Sequence, residues 1–176
     1  MKNIISAIII FSNLIFAGSI KEDTENMIRE RLGDSISMEF IKYEIPQELK
    51  KQIESETRQR FYGDFIYIYK VFKNEKLTNF AVVDNVYGKS MPITFLVIYD
   101  KNAKINYSGI VKYREQYGGG VKSENWNEQF KGKDSHSGYE VGKDISAISG
   151  ATISTNSVSR GIKKITMLIE KIKDTL

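Results

Sequence analysis

The stretch Ser146-Ala147-Ile148-Ser149-Gly150-Ala151-Thr152-Ile153-Ser154-Thr155 holds the residue types and spacing that could do chemistry in this chain. Gly150 and Ala151 are small, so the backbone there can lie close to a bulky ligand. Thr152 offers a hydroxyl just ahead of a segment that reads as a helix over about 154–173, with Ser154, Thr155 and Asn156 in its first turn. The start of a helix has unpaired N–H groups and a partial positive charge, and so favours a phosphate. A hydroxyl esterified to a phosphate would sit well at that end. Ser154 or Thr155 would serve equally as a plain N-cap, but capping accounts for neither Gly150-Ala151 nor Thr152.

Composition narrows the alternatives. The chain of 176 residues has no cysteine, which excludes a Cys-ligated iron–sulfur cluster, a c-type haem, a disulfide and a thiolate nucleophile. Its single histidine, His136 in a polar loop, excludes a His-rich metal site and gives poor support for acyl transfer. Redox chemistry therefore needs a borrowed organic cofactor or a partner. Lys and Arg exceed Asp and Glu by 26 to 22. These charges are scattered rather than massed in a stripe, so no nucleic-acid partner is expected.

The N-terminus reads as a leader. Met1-Lys2-Asn3 precedes an apolar run over 4–17, followed by Gly18-Ser19. That is a short positive region, an apolar region and small residues at a cleavage position. The run falls short of the roughly 20 apolar residues of a spanning helix. Residues 1–19 are thus expected to be a signal peptide, with a retained N-terminal anchor as the alternative, and the mature protein to be exported.

Other elements must position the Thr152 segment. Residues 23–32 read as a polar-faced helix with Asp23 or Thr24 as its cap and Gly33 as its stop. Residues 36–45 alternate as a strand with Ile36, Met38 and Phe40 on one face. Pro46 opens a charged helix to about residue 60. An aromatic, β-branched strand over 65–72 reaches a turn at Asn74-Glu75, and residues 80–83 continue the pattern. The apolar run 93–99 reads as a strand buried on both faces. After the turn Asp100-Lys101-Asn102, period two places Ile105, Tyr107, Gly109, Val111 and Tyr113 on one face.

Gly118-Gly119-Gly120 breaks the sheet pattern, residues 124–130 form a short helix carrying Trp126, and 131–149 read as loop. In the last helix Val158, Ile162, Ile165, Ile169 and Ile172 make an apolar stripe, with Arg160, Lys163, Lys164 and Lys171 mostly turned outward. The fold class is α+β, a twisted antiparallel sheet of consecutive hairpins flanked by helices.

Ser149-Gly150-Ala151-Thr152 resembles the flavinylation motif of the FMN-binding domain family. That domain occurs in the C subunit of the sodium-translocating NADH:quinone reductase and the G subunit of the Rnf electron-transport complex. The likeness extends upstream. Phe95-Leu96-Val97-Ile98-Tyr99-Asp100 through Lys104-Ile105 resembles the family's strand–turn–strand. Tyr113-Arg114-Glu115-Gln116-Tyr117-Gly118-Gly119 is similar to its acidic, glycine-containing segment, and Trp126-Asn127-Glu128-Gln129-Phe130-Lys131-Gly132-Lys133 to the short helix that follows. Together these span about 87–165. One position departs from the pattern: Ser146 stands where the family usually has an acidic residue, with Asp144 two residues earlier.

The resemblance implies a curved sheet with FMN at the loop before the last helix, joined by a phosphoester to Thr152. It implies a flavin transferase as partner, with FAD as donor, and a membrane redox complex or other protein as electron donor or acceptor. The flavin site would comprise Ser149, Gly150, Ala151, Thr152, Ser154 and Thr155, with Glu115, Tyr117, Gly118 and Trp126. Glu115 would contact the flavin or lie solvated, while Trp126 and Tyr117 would stack on the ring or pack elsewhere. Residues 20–75 form an αβα lead-in and 76–176 the FMN-binding domain. The implied role is an extracytoplasmic electron carrier, periplasmic or on the outer face of the cytoplasmic membrane. Its rivals are the flavin-bearing component of a reductase and a binding module that takes no flavin, with Ser146 as its mark.

Overall fold

Alternating residues between 37 and 112 pair into one open five-stranded antiparallel sheet, ordered β1-β2-β3-β4-β5, in the computed structural model, which describes residues 20–176. The strands are β1 (Ser37–Glu44), β2 (Phe65–Lys73), β3 (Lys76–Tyr87), β4 (Pro92–Asp100) and β5 (Ile105–Lys112). Each strand pairs with the next in sequence, as short hairpin connections favour. The expected leader, 1–19, lies outside the described residues. Among the described residues no helix is long and apolar enough to cross a membrane. The expected boundary near 75 falls at the tip of the β2–β3 hairpin, and the sheet runs straight across it.

Helices cover both sheet faces, which is why β4 is buried from Ile93 to Tyr99. On one face α2 (Gln47–Thr57) and α4 (Thr152–Ile172) pack on Ile66, Ile68, Phe80, Val82, Phe95, Val97 and Tyr99. On the other, a helix here called α1 (20–32) sets Ile28 and Met27 against Tyr69, Val71, Leu96 and Ile98. Gly33 stops α1 as expected, its N–H closing the last turn onto Arg29 O. Thr24 is no cap: it sits inside the helix and donates to Ile20 O.

Three sequence expectations are corrected. First, α4 begins at Thr152, two residues early, with Ala151 as its N-cap residue and no side-chain cap. Thr155 cannot cap because its hydroxyl donates back to Ala151 O and Thr152 O, each at 3.0 Å. Second, β5 does not keep one face. Its pairing with β4 shifts register between Thr94 and Phe95 and between Ile98 and Tyr99. Each extra residue turns the following side chains over, so Ile105 joins the α4 side while Tyr107 joins the α1 side.

Third, Lys164 is not turned outward. It is 0 % exposed, and its ammonium lies 2.7 Å from Asp84 Oδ2 on β3. It also donates to Arg60 O at 2.9 Å and stands 4.4 Å from the centre of the Phe61 ring. Burial raises the Asp84 carboxyl above its ordinary range, against the pull of the Lys164 charge. A pair this deep is retained only because each partner answers the other's charge.

Candidate functional site

Four segments converge at the N-terminal end of α4. Ser149 and Gly150 form the centre of a turn closed by Ala151 N–H on Ile148 O at 3.0 Å. Gly150 takes φ +74°, which the third position of a type II turn requires. The turn delivers Thr152, exposed, as the first residue of the helix. With no side-chain cap, the first-turn amides keep their capacity for an outside acceptor.

The facing wall comes from the segment after β5. Tyr113 donates its hydroxyl hydrogen to Tyr117 O, and Ser154 Oγ lies 3.1 Å from the same Tyr113 oxygen. This bond bends 113–118 onto α4. Gly118, at φ +81°, fills the tightest point: a Cβ there would fall 2.8 Å from the Tyr113 hydroxyl and 2.9 Å from Ser154 Oγ. Tyr117 projects outward with 81 % of its surface exposed. The result is a groove of about 260 Å³ lined by Lys89, Glu115, Tyr117, Gly118, Gly150, Ala151, Thr152, Ile153 and Ser154.

Seven of the ten residues expected from sequence meet in this groove: Thr152, Gly150, Ala151, Ser154, Glu115, Tyr117 and Gly118. Ser149 lies in the turn and Thr155 is buried beneath the helix start, tied to backbone oxygens. Trp126 does not line the groove. It is 5 % exposed on α3 (Glu124–Asn127), and its ring meets Phe130 edge-on at 5.2 Å. It acts on the site at one remove, because its indole N–H donates to Ser146 O at 2.8 Å. Gln129 Oε1 accepts from Ser146 N at 2.7 Å. Both of that residue's backbone groups are thus held, and the approach to Thr152 is fixed.

Asp144 is engaged elsewhere. Its Oδ2 accepts from Glu140 N at 3.0 Å and it lines a different groove, beside Arg160 and Lys163. The carboxylate therefore closes a local turn and does not stand in for an acid at Ser146.

Sequence reasoning missed Lys89, Ile153 and Tyr113 as parts of the site. Lys89 sits in the four-residue turn between β3 and β4, where a lysine looks like any solvated loop residue. Ile153 is half exposed at 50 %, an apolar side chain whose place in the groove follows from the early start of α4. Tyr113 opens the segment that resembles the family's, but nothing in the sequence marks its hydroxyl as the link to Tyr117 and Ser154, 4 and 41 residues away.

Glu115 Oε1 accepts from Ser90 N at 2.6 Å and Met91 N at 3.0 Å. The Met91 amide, and next the Ser90 amide, hold this carboxyl below the ordinary range by stabilising its charged form. An uncapped helix start, an exposed hydroxyl on its first residue and a cradle that a Cβ would fill together fit a phosphate-bearing ligand. The exposed faces of Tyr117 and Ile153 fit a planar ring at its other end.

Residues 88–166 match the family model of the FMN-binding domain. Among solved structures, the crystal structure of NqrC from Shewanella oneidensis is similar, with a TM-score of 0.59 and 18 % identity over 90 % of this chain and 98 % of that one. At that identity the likeness establishes a shared fold. No curated protein sequence matches the chain.

Proposed function

We propose that this chain, whose residues 88–166 match the model of the FMN-binding domain, holds FMN covalently, as a phosphoester on Thr152, and passes electrons outside the cytoplasm. The observation that carries this reading is the position of Thr152: exposed, first in an uncapped helix of 21 residues, and in one groove with Glu115, Tyr117 and Gly118. The same groove is built by the segments that resemble the family's own.

Each residue then has a task. Thr152 Oγ takes the phosphoryl group, and the helix amides answer its remaining charge. If FAD is the donor, the new Oγ–P bond forms as the pyrophosphate bond breaks, the hydroxyl proton is lost and AMP leaves. A dedicated flavin transferase is the expected catalyst, as the likeness of Ser149-Gly150-Ala151-Thr152 to the flavinylation motif implies. The Ser149–Gly150 turn presents the hydroxyl, Gly118 keeps the wall thin, and Tyr117 and Ile153 offer apolar surface to the ring. When bound, the flavin supplies reversible uptake of one or two electrons, while the chain supplies orientation and electrostatics. A tethered flavin cannot diffuse away, which suits a carrier on the outer side of the cytoplasmic membrane. The fold shared with NqrC supports a membrane redox complex as the setting.

The rival reading is a binding module without flavin. It draws on Ser146, whose side chain is exposed and offers no carboxylate, with Asp144 tied up in its own turn. One experiment decides between them. The exported protein is co-expressed with a flavin transferase beside Thr152→Ala, then examined by in-gel fluorescence and intact mass. Denaturation-resistant fluorescence with the mass of one FMN phosphoester, lost in the variant, is expected. An unmodified wild type, with the transferase active on a control protein, would leave loose FMN binding or a non-redox module.

A further inference from the structure

The groove contains one cation, Lys89, and one anion, Glu115, and their geometry separates their roles. Residues 88–91 form the turn between β3 and β4, closed by Gly88 N–H on Met91 O at 3.0 Å. The turn wraps the Glu115 carboxylate: two amides donate to Oε1, and a Cβ on Gly88 would fall 2.5 Å from that oxygen. Such a backbone nest is a built anion site, and a residue of the chain itself fills it. Glu115 is therefore committed to the turn. The Lys89 ammonium is less committed: it is exposed, and although its charge adds weakly to the hold on Glu115 it makes no salt bridge within 4 Å among the described residues.

We propose that Lys89 supplies the counter-charge for the phosphate of the flavin at Thr152, and that Glu115 is a positioning residue that holds the turn presenting Lys89. This rests on the reading of the groove given above. Lys89 and the start of α4 line one groove of about 260 Å³, and a lysine's stem of four methylenes gives its ammonium freedom to turn toward a phosphate seated there. The helix amides and Lys89, which line the same groove, would both answer the charge of a phosphate held there.

The test uses the full chain made without a flavin transferase, titrated with FMN and with riboflavin, which lacks the phosphate, and followed by flavin fluorescence. Wild type should bind FMN more tightly than riboflavin. Lys89→Gln should weaken FMN about five-fold, as for an exposed ion pair, and leave riboflavin unchanged, while Lys89→Arg restores FMN binding. Glu115→Gln should weaken FMN alone, because a neutral amide holds the turn less firmly. A gain in FMN affinity in Glu115→Gln would show simple repulsion, and a loss for both flavins would place Glu115 on the ring; either overturns the positioning role. Unchanged FMN binding in Lys89→Gln, or an equal loss for riboflavin, overturns the counter-charge role with the groove reading intact. A wild type that binds neither flavin and accepts none from the transferase removes the groove reading, and the proposal with it.

Discussion

The two ends of α4 follow opposite rules. From Val158 to Ile172 the helix lays Val158, Ile162, Ile165, Leu168 and Ile169 on the sheet at 0 % exposure, and it even buries a lysine against its carboxylate partner. From Thr152 to Asn156 it has no cap, two exposed residues and an open groove. Burying each stripe residue contributes about 1.5–3 kcal/mol, so the C-terminal two-thirds can fix the helix unaided. The start of the helix is then free to leave backbone donors unsatisfied, which a helix held only by its own caps could not do. The rigid end makes the open end possible.

The largest test of this division is Lys164→Ala. Removing one partner of a buried pair strands the other charge, so a loss of about 3–5 kcal/mol is expected. For a domain of this size that lowers Tm by roughly 10 °C. Asp84→Leu with Lys164→Met should recover most of the loss, since an apolar replacement of both partners leaves no buried charge. Calorimetry of both single variants and the pair checks this. Additive losses would mean that the two residues act separately, and that the buried half of α4 is held by its apolar stripe alone.

This buried half was only partly legible in the sequence. The stripe announced itself through helical spacing, and every member of it is buried. Lys164 did not, because a lysine beside Ile165 looks like a solvated flank until Asp84, 80 residues earlier in the chain, is folded against it. The β5 bulges were equally silent: the clean alternation from Ile105 to Tyr113 gives no sign of where pairing with β4 slips. At the open end the reverse holds. The cluster Gly150, Ala151, Thr152 was legible from residue types, and the helix boundary failed because Ser154 and Thr155 look like caps. Local preference was overruled at the candidate site, which is where such conflicts are expected.

A middle-sized effect should come from Gly118→Ala, which tests the seam between the two regions. The substitution forces a side chain into φ +81° and sets a methyl 2.8 Å from the Tyr113 hydroxyl and 2.9 Å from Ser154 Oγ. Backbone strain and displacement of that link should cost about 2 kcal/mol, read from the midpoint of urea unfolding at unchanged m. A cost under about 0.5 kcal/mol, the range of ordinary surface changes, would mean that 113–118 is loose against α4. The wall of the groove would then not be preformed.

The smallest effect is the most discriminating. Ala151 holds the N-cap position at φ −125° and ψ 21°, and a serine there, after a turn of ψ toward the extended region usual for caps, would place an oxygen on the amides of the first turn. Ala151→Ser should therefore raise stability by about 0.5 kcal/mol, within the range for caps. It should also reduce FMN affinity and the yield of flavinylated protein, because cap and phosphate compete for the same N–H groups. That pairing of a gain with a loss is the signature of an end left open for a ligand. A gain in stability with flavin loading untouched would mean that the phosphate does not use those amides. A loss of stability would mean that Ala151, only 3 % exposed, is packed as tightly as the stripe, and that the contrast between the two ends of α4 begins one residue later.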